Sequence, residues 1–235
     1  MLLSFSRINR VFLTPASAAL FLGWVSFLIA SGALPDPVAI HWGITGQADG
    51  FISRDSYLIV VAPAILIPLA LQILFHWLQR KSPLIRKFMT AVFSIIYWML
   101  FVVMFFATAS QAGSLDSAQS SFPISMIVFL LVLIPMSLWF SLAFPSIEIG
   151  NDLVVRLRGI KVLSIPMKDV QAVETASMNS WNFGGLGIRV SGRTLAFIPS
   201  KGEGVVFSLH TGEKIAVRSK QASEVSKLAL AKLGG

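Results

Sequence analysis

Residues 34–54 read LPDPVAIHWGITGQADGFISR, the one long polar and turn-rich stretch between two strongly apolar runs. Its prolines and glycines punctuate the chain into turns. It also carries Asp36, His41 and Asp49, an acidic and imidazole-bearing set in a chain of which only 13% is charged. Each flank stays apolar for about the 20 residues that a helix needs to cross a bilayer. The stretch therefore reads as a loop between two membrane spans, and the rest of the chain is read outward from it.

The chain has 235 residues, 55% of them hydrophobic, and a mean hydropathy of +0.76. A soluble domain carries about 25% charged residues, so composition places this chain among membrane proteins. Its charges crowd into the last third, which predicts a membrane part followed by a water-soluble part. The formal net charge of +8 is explained by membrane topology and anionic headgroups. No nucleic-acid module or aromatic-basic platform accompanies it, so nucleic acid is not an expected partner. Cysteine is absent, which excludes disulfides, thiolate metal sites and cysteine nucleophiles.

Four runs lack Asp, Glu, Lys and Arg and are long enough to span: about 11–31, 57–77, 88–110 and 123–144. Pro15, Pro63, Pro68 and Pro135 fall within them, and membrane helices tolerate proline better than soluble ones. The first run exceeds the roughly 7–15 apolar residues of a signal peptide. It is read as a retained helix in spite of the small residues at 30–33. Arg7 and Arg10 precede the first span, and Arg80, Lys81, Arg86 and Lys87 fill the turn between the second and third. Loop 32–56 has Arg54 against Asp36, Asp49 and Asp55, and loop 111–122 has Asp116 alone. The Lys/Arg bias predicts both termini inside and both loops outside. Of the Asp, Glu, Lys, Arg and His residues that an ion-coupled carrier places within its spans, only His76 is present, at the inner end of the second, which argues against a proton-coupled carrier.

From about Ser146 the period changes. Leu153, Val155 and Leu157 alternate with Val154, Arg156 and Arg158, as in a half-buried strand. Further strands are expected at 160–165, at 170–176, around Leu195 and Phe197, and across 204–218, where Thr211-Gly212 predicts a hairpin turn. The tail 220–233 has helical spacing, with Ser219 as its N-cap. The predicted architecture is membrane α plus soluble β. It comprises a four-helix transmembrane domain, 1–145, with the extracytoplasmic loop 32–56, and a cytoplasmic domain, 146–235, of six or seven antiparallel strands closed by one helix.

The order Leu34-Pro35-Asp36, Val38, His41-Trp42, Gly46, Asp49-Gly50 and then Arg54 resembles the N-terminal domain of unknown function shared by SdpI-type membrane proteins. Ala39, Ala48 and Ile52 depart from two prolines and a glycine common in that family. The resemblance covers about the first third of the chain. It implies a bacterial cytoplasmic-membrane protein with a role similar to that of an immunity protein that also signals its toxin. The last third, with its strand series, closing helix and Trp181-Asn182-Phe183-Gly184-Gly185 segment running to Arg189, is similar to pleckstrin-homology-like domains of bacterial membrane proteins.

Pro35, Asp36, His41, Trp42, Gly46 and Asp49 are the candidate contact residues for a peptide or envelope ligand outside. Two other readings of the same loop stand beside this one. Asp36 and Asp49 make turn and capping hydrogen bonds while His41 packs on Trp42, or the three are metal ligands of a membrane enzyme. No nucleophile motif accompanies them, so no catalytic or metal-binding residue is assigned, no cofactor is expected and the chain is read as non-enzymatic. Inside, Arg156, Arg158, Trp181, Phe183, Gly185 and Arg189 are candidate contacts for a protein partner or membrane lipids. The glycines there suit tight backbone geometry equally well; Val190 in place of the third glycine rules out a dinucleotide fingerprint. A sensor or immunity-like module is the expected function, with a processing enzyme and a scaffold acting through its soluble domain as alternatives.

Overall fold

The structure is a computed structural model that describes residues 13–43, 45–114, 124–179 and 185–234. Arg7, Arg10, Asp116, Trp181 and Phe183 lie outside the described residues. Two compact units divide the chain: Met1–Leu78 with Lys87–Val132, and Gln79–Arg86 with Leu133–Gly235.

The first unit is helical. Helix α1 (Thr14–Ala30) starts with Pro15 in its first turn, where a missing N–H costs nothing. A hairpin of β1 (Val38–Trp42) and β2 (Ala48–Ile52) follows, then a short 3-10 turn and α2 (Tyr57–Leu78). Helix α3 (Pro83–Ala109) from Lys87 onward and α4 (Ile124–Ser141) as far as Val132 also belong to this unit, and the rest of each belongs to the second. Two helical segments, Arg54–Leu78 and Pro83–Ala109, are long and apolar enough to cross a membrane; α1 and α4 are shorter, at 17 and 18 residues.

In helices apolar on all sides, periodicity does not select the packing face; side-chain fit does. Ala18, Phe21, Val25 and Leu28 of α1, at alternating three- and four-residue spacing, pack with Tyr57, Val61 and Ile65 of α2 and Tyr97 of α3. Polar stitches join the helices. The Ser17 and Tyr97 hydroxyls lie 2.8 Å apart, and Tyr97 donates to the Thr14 carbonyl at 3.0 Å. The Tyr57 hydroxyl meets that of Thr108 at 3.0 Å, and Gln72 Nε2 donates to Ser94 Oγ at 2.5 Å. Such bonds contribute about 0.6 kcal/mol each in membrane bundles.

The second unit carries the β domain. Strands β3 (Pro145–Ile149), β4 (Asp152–Leu157) and β5 (Ile160–Pro166) form an antiparallel meander. A five-stranded sheet contains β6 (Val170–Met178), β7 (Gly187–Ser191), β8 (Thr194–Ile198), β9 (Gly202–Leu209) and β10 (Lys214–Arg218), in the order β6-β9-β10-β8-β7. Helix α5 (Ala222–Leu233) buries Ala222, Ser226 and Ala229. The expected hairpin across 204–218 is present, with Lys214 opposite Ser208 and Arg218 opposite Gly204.

Three details differ from the sequence reading. Among the described residues the β domain has eight strands, and one pair is parallel: β10 inserts between β9 and β8, with Ile215 beside Leu195 and Val217 beside Phe197. Its central strands are buried on both faces, because Ala196, Val206 and Ala216 form a second apolar layer with Met178 and Ile198. Ser219 is not the N-cap of α5. That position is Gln221, and the Ser219 hydroxyl instead accepts from the Gln221 N–H at 3.1 Å.

Candidate functional site

The described residues of the stretch 34–54 form a hairpin. Strand-forming Val38, Ile40 and Trp42 build β1, and the Gly43–Gln47 turn closes through Gly43 N–H to the Gln47 carbonyl at 2.9 Å. Gly46 sits at φ +79, the left-handed region glycine enters without strain. The pairing shifts register twice, since Ala39 opposes Phe51, His41 opposes Gly50 and Trp42 opposes Ala48. Ile40 and Asp49 are therefore the extra residues of two irregularities, the kind of device that re-aims a side chain.

Asp49 is aimed at His41: Oδ1 lies 2.5 Å from Nδ1, with the side chains 53% and 70% exposed. His41 is thereby joined to Asp49 across the hairpin, from one strand to the other. Glycines make room for it. A Cβ at Gly50 would stand 2.8 Å from His41 Cβ, and one at Gly43 2.9 Å from Asp49 Oδ2. Ile40 and Phe51 are exposed, so an imidazole, a carboxylate and two apolar side chains are presented by one short hairpin. Asp36 is not with them. It accepts the Arg54 backbone N–H at 3.2 Å, while Arg54 Nη1 donates to the Leu34 carbonyl at 3.4 Å, and buried Pro35 lies between Leu34 and Asp36 at this base. Among the described residues no three His, Asp or Glu side chains group as metal ligands.

The hairpin is clamped by a residue that sequence reasoning missed. The Ala39 N–H donates to Gln111 Oε1 at 2.8 Å, and Gln111 Nε2 donates back to the Ala39 carbonyl at 3.1 Å and to Ala107 at 2.9 Å. A fully buried primary amide thus acts as one residue of a third strand beside β1. A lone glutamine just past an apolar run is the signal that marks it.

In the second unit, Arg156 is engaged with Glu148 at 2.7 Å and with the Gly159 carbonyl at 3.2 Å. Arg158, next along, lays its guanidinium 3.7 Å from the Trp139 ring centre. Gly185 (φ +125) lies at the Arg189 guanidinium, where a Cβ would come within 3.1 Å of Nε. Gly187 (φ +84) approaches the Ser141 carbonyl, so these glycines answer backbone constraints.

A second missed residue is Glu213. Its carboxylate is fully buried and accepts the N–H groups of Leu84 at 3.2 Å and Ile85 at 3.0 Å, with the Thr211 hydroxyl at 3.0 Å. These amides belong to the first turn of α3, whose donors have no intrahelical partner. A carboxylate there also faces the positive end of the helix dipole. Arg193 ties the same turn down from the other side, donating to the carbonyls of Lys81 at 2.9 Å and Thr211 at 2.5 Å. The turn of the β9–β10 hairpin thereby caps a helix more than a hundred residues earlier in the chain.

No curated protein and no solved structure matches the chain. Residues 18–67, which take in most of α1, the hairpin and the first half of α2, match the family described as Domain of unknown function (DUF1648), a domain found in SdpI-like membrane proteins.

Proposed function

We propose that the chain is a non-enzymatic bacterial membrane protein of the sensor or immunity-like kind. It crosses the cytoplasmic membrane four times with both termini inside, and couples an extracytoplasmic hairpin to a cytoplasmic pleckstrin-homology-like domain. The observation that supports coupling is the grip on α3 at each end. Glu213 holds the amides of Leu84 and Ile85 at its start, and Gln111, two residues past its end, holds Ala39 of the hairpin. A ligand that displaces β1 loads Gln111, and a partner that displaces the β9–β10 turn loads Glu213. Coupling of this kind amounts to about 1–3 kcal/mol where the two states make different contacts. The strand series and closing helix favour the pleckstrin-homology-like reading, although the parallel β8–β10 pair departs from an all-antiparallel domain. The metal-enzyme alternative is weakened by Asp36, which is turned to Arg54 rather than to His41 and Asp49.

The test is photo-crosslinking in living cells from a benzoyl-phenylalanine at Phe51, an exposed aromatic on β2. A discrete peptide or protein adduct, weakened by His41→Ala or Asp49→Ala, is expected. Adducts to lipid alone, unchanged by either substitution, would remove the outer-ligand reading.

A further inference from the structure

We propose that the end of α4, the β4–β5 turn and the β10–α5 junction form a seat for an anionic phospholipid of the inner leaflet. The inference rests on the reading that α4 crosses the membrane, and it names the partner of the inner domain's basic side. Trp139, Leu142 and Phe144, where α4 gives way to β3, are all exposed large apolar side chains. Each ring has cations at its face: Arg158 stands 3.7 Å from Trp139, and Lys220 and Arg218 stand 5.3 and 6.0 Å from Phe144. Aromatic rings with cations at the end of an apolar helix are the chemistry of the membrane–water boundary.

Two further observations favour a phosphate-bearing ligand. Arg158 occupies the left-handed region at φ 49, beside Gly159 at φ 80, in the two-residue turn between β4 and β5. Such turns favour Asn and Gly, and an arginine there is strained. That backbone nonetheless delivers its guanidinium to Trp139, beside exposed Ile160. The charges are also uncompensated. Among the described residues Arg158 and Lys220 make no ion pair with a carboxylate, unlike Arg156, which is paired with Glu148. Arg218 is held by the carbonyls of Lys201, Glu203 and Ser219, which leaves its charge unneutralised. A lipid phosphate supplies the missing anion, while its acyl chains lie along the exposed apolar side chains of α4. A zwitterionic headgroup brings its own cation and fits less well.

Native cysteine is absent, so a single Ile160→Cys in the full chain takes an environment-sensitive fluorophore. It is read in nanodiscs of phosphatidylcholine alone and of an equal mixture with phosphatidylglycerol. A blue shift specific to phosphatidylglycerol is expected, lost in Arg158→Gly with Lys220→Gln and kept in Arg158→Lys. Glycine relieves the strained turn, so that variant does not fail by misfolding. Affinity for the anionic lipid is expected to fall about fivefold for each cation removed. Equal emission in both lipids, or a phosphatidylglycerol-specific shift that survives the double substitution, overturns the proposal and leaves the membrane reading standing. A label at Leu131, an exposed residue within α4, that is freely quenched by an aqueous ion overturns both.

Discussion

At the scale of single residues, the consequential side chains are buried amides and carboxylates rather than exposed charges. Glu213→Ala leaves two first-turn amides of α3 and the Thr211 hydroxyl without their acceptor. An unsatisfied buried donor costs about 1–3 kcal/mol, so the variant is expected to melt lower and to exchange its Leu84 and Ile85 amide hydrogens faster. Glu213→Gln, which keeps one acceptor oxygen, is expected to fall between it and wild type. His41 and Asp49 behave differently. Their side chains are mostly solvated, and exposed pairs contribute less than about 1 kcal/mol. His41→Ala and Asp49→Asn are therefore expected to leave the melting temperature almost unchanged, so that any loss of a crosslinked adduct reports recognition. Asp36, His41 and Asp49 are legible in the sequence as the polar residues of an apolar chain. That His41 pairs with Asp49 across the strands is not legible, because it depends on a register shift at Asp49 that no spacing rule announces.

At the scale of elements, α3 begins earlier than charge counting places it. A span read from the absence of charge starts at 88, beyond Arg86 and Lys87, whereas the helix starts at Pro83. Proline suits a first turn, and the acceptor for that turn lies on another element at Glu213. The hairpin depends in the same way on a distant group. Gln111→Leu removes both hydrogen bonds to Ala39. It is expected to speed exchange of the Ala39 amide hydrogen at least tenfold, corresponding to about 1.4 kcal/mol, while the exchange of α2 stays as in wild type. Gly50→Ala is expected to disrupt the same pairing by a different route, since its Cβ collides with that of His41. Circular dichroism and exchange at Ala39 and Phe51 would read both. In the β domain, β4, β8 and β10 are all readable from alternation, but β8 and β10 set alanine between their large residues and are buried on both faces. Their parallel pairing is a tertiary outcome that the pattern of neither strand announces.

For the whole molecule, composition separates a helical apolar part from a β-rich basic part, and the described elements follow that order. The Lys/Arg bias of the short segments predicts the orientation on which the proposed sensing depends, with the hairpin outside and the β domain inside. The absence of cysteine permits a clean measurement. Single cysteines at Gln47 in the hairpin turn and at Lys168 between β5 and β6, both exposed, are treated with a membrane-impermeant maleimide in intact cells. Gln47→Cys is expected to react at once, and Lys168→Cys only after the membrane is opened. Reaction of both from outside, or of Lys168→Cys alone, would contradict a hairpin and a β domain on opposite sides of the membrane.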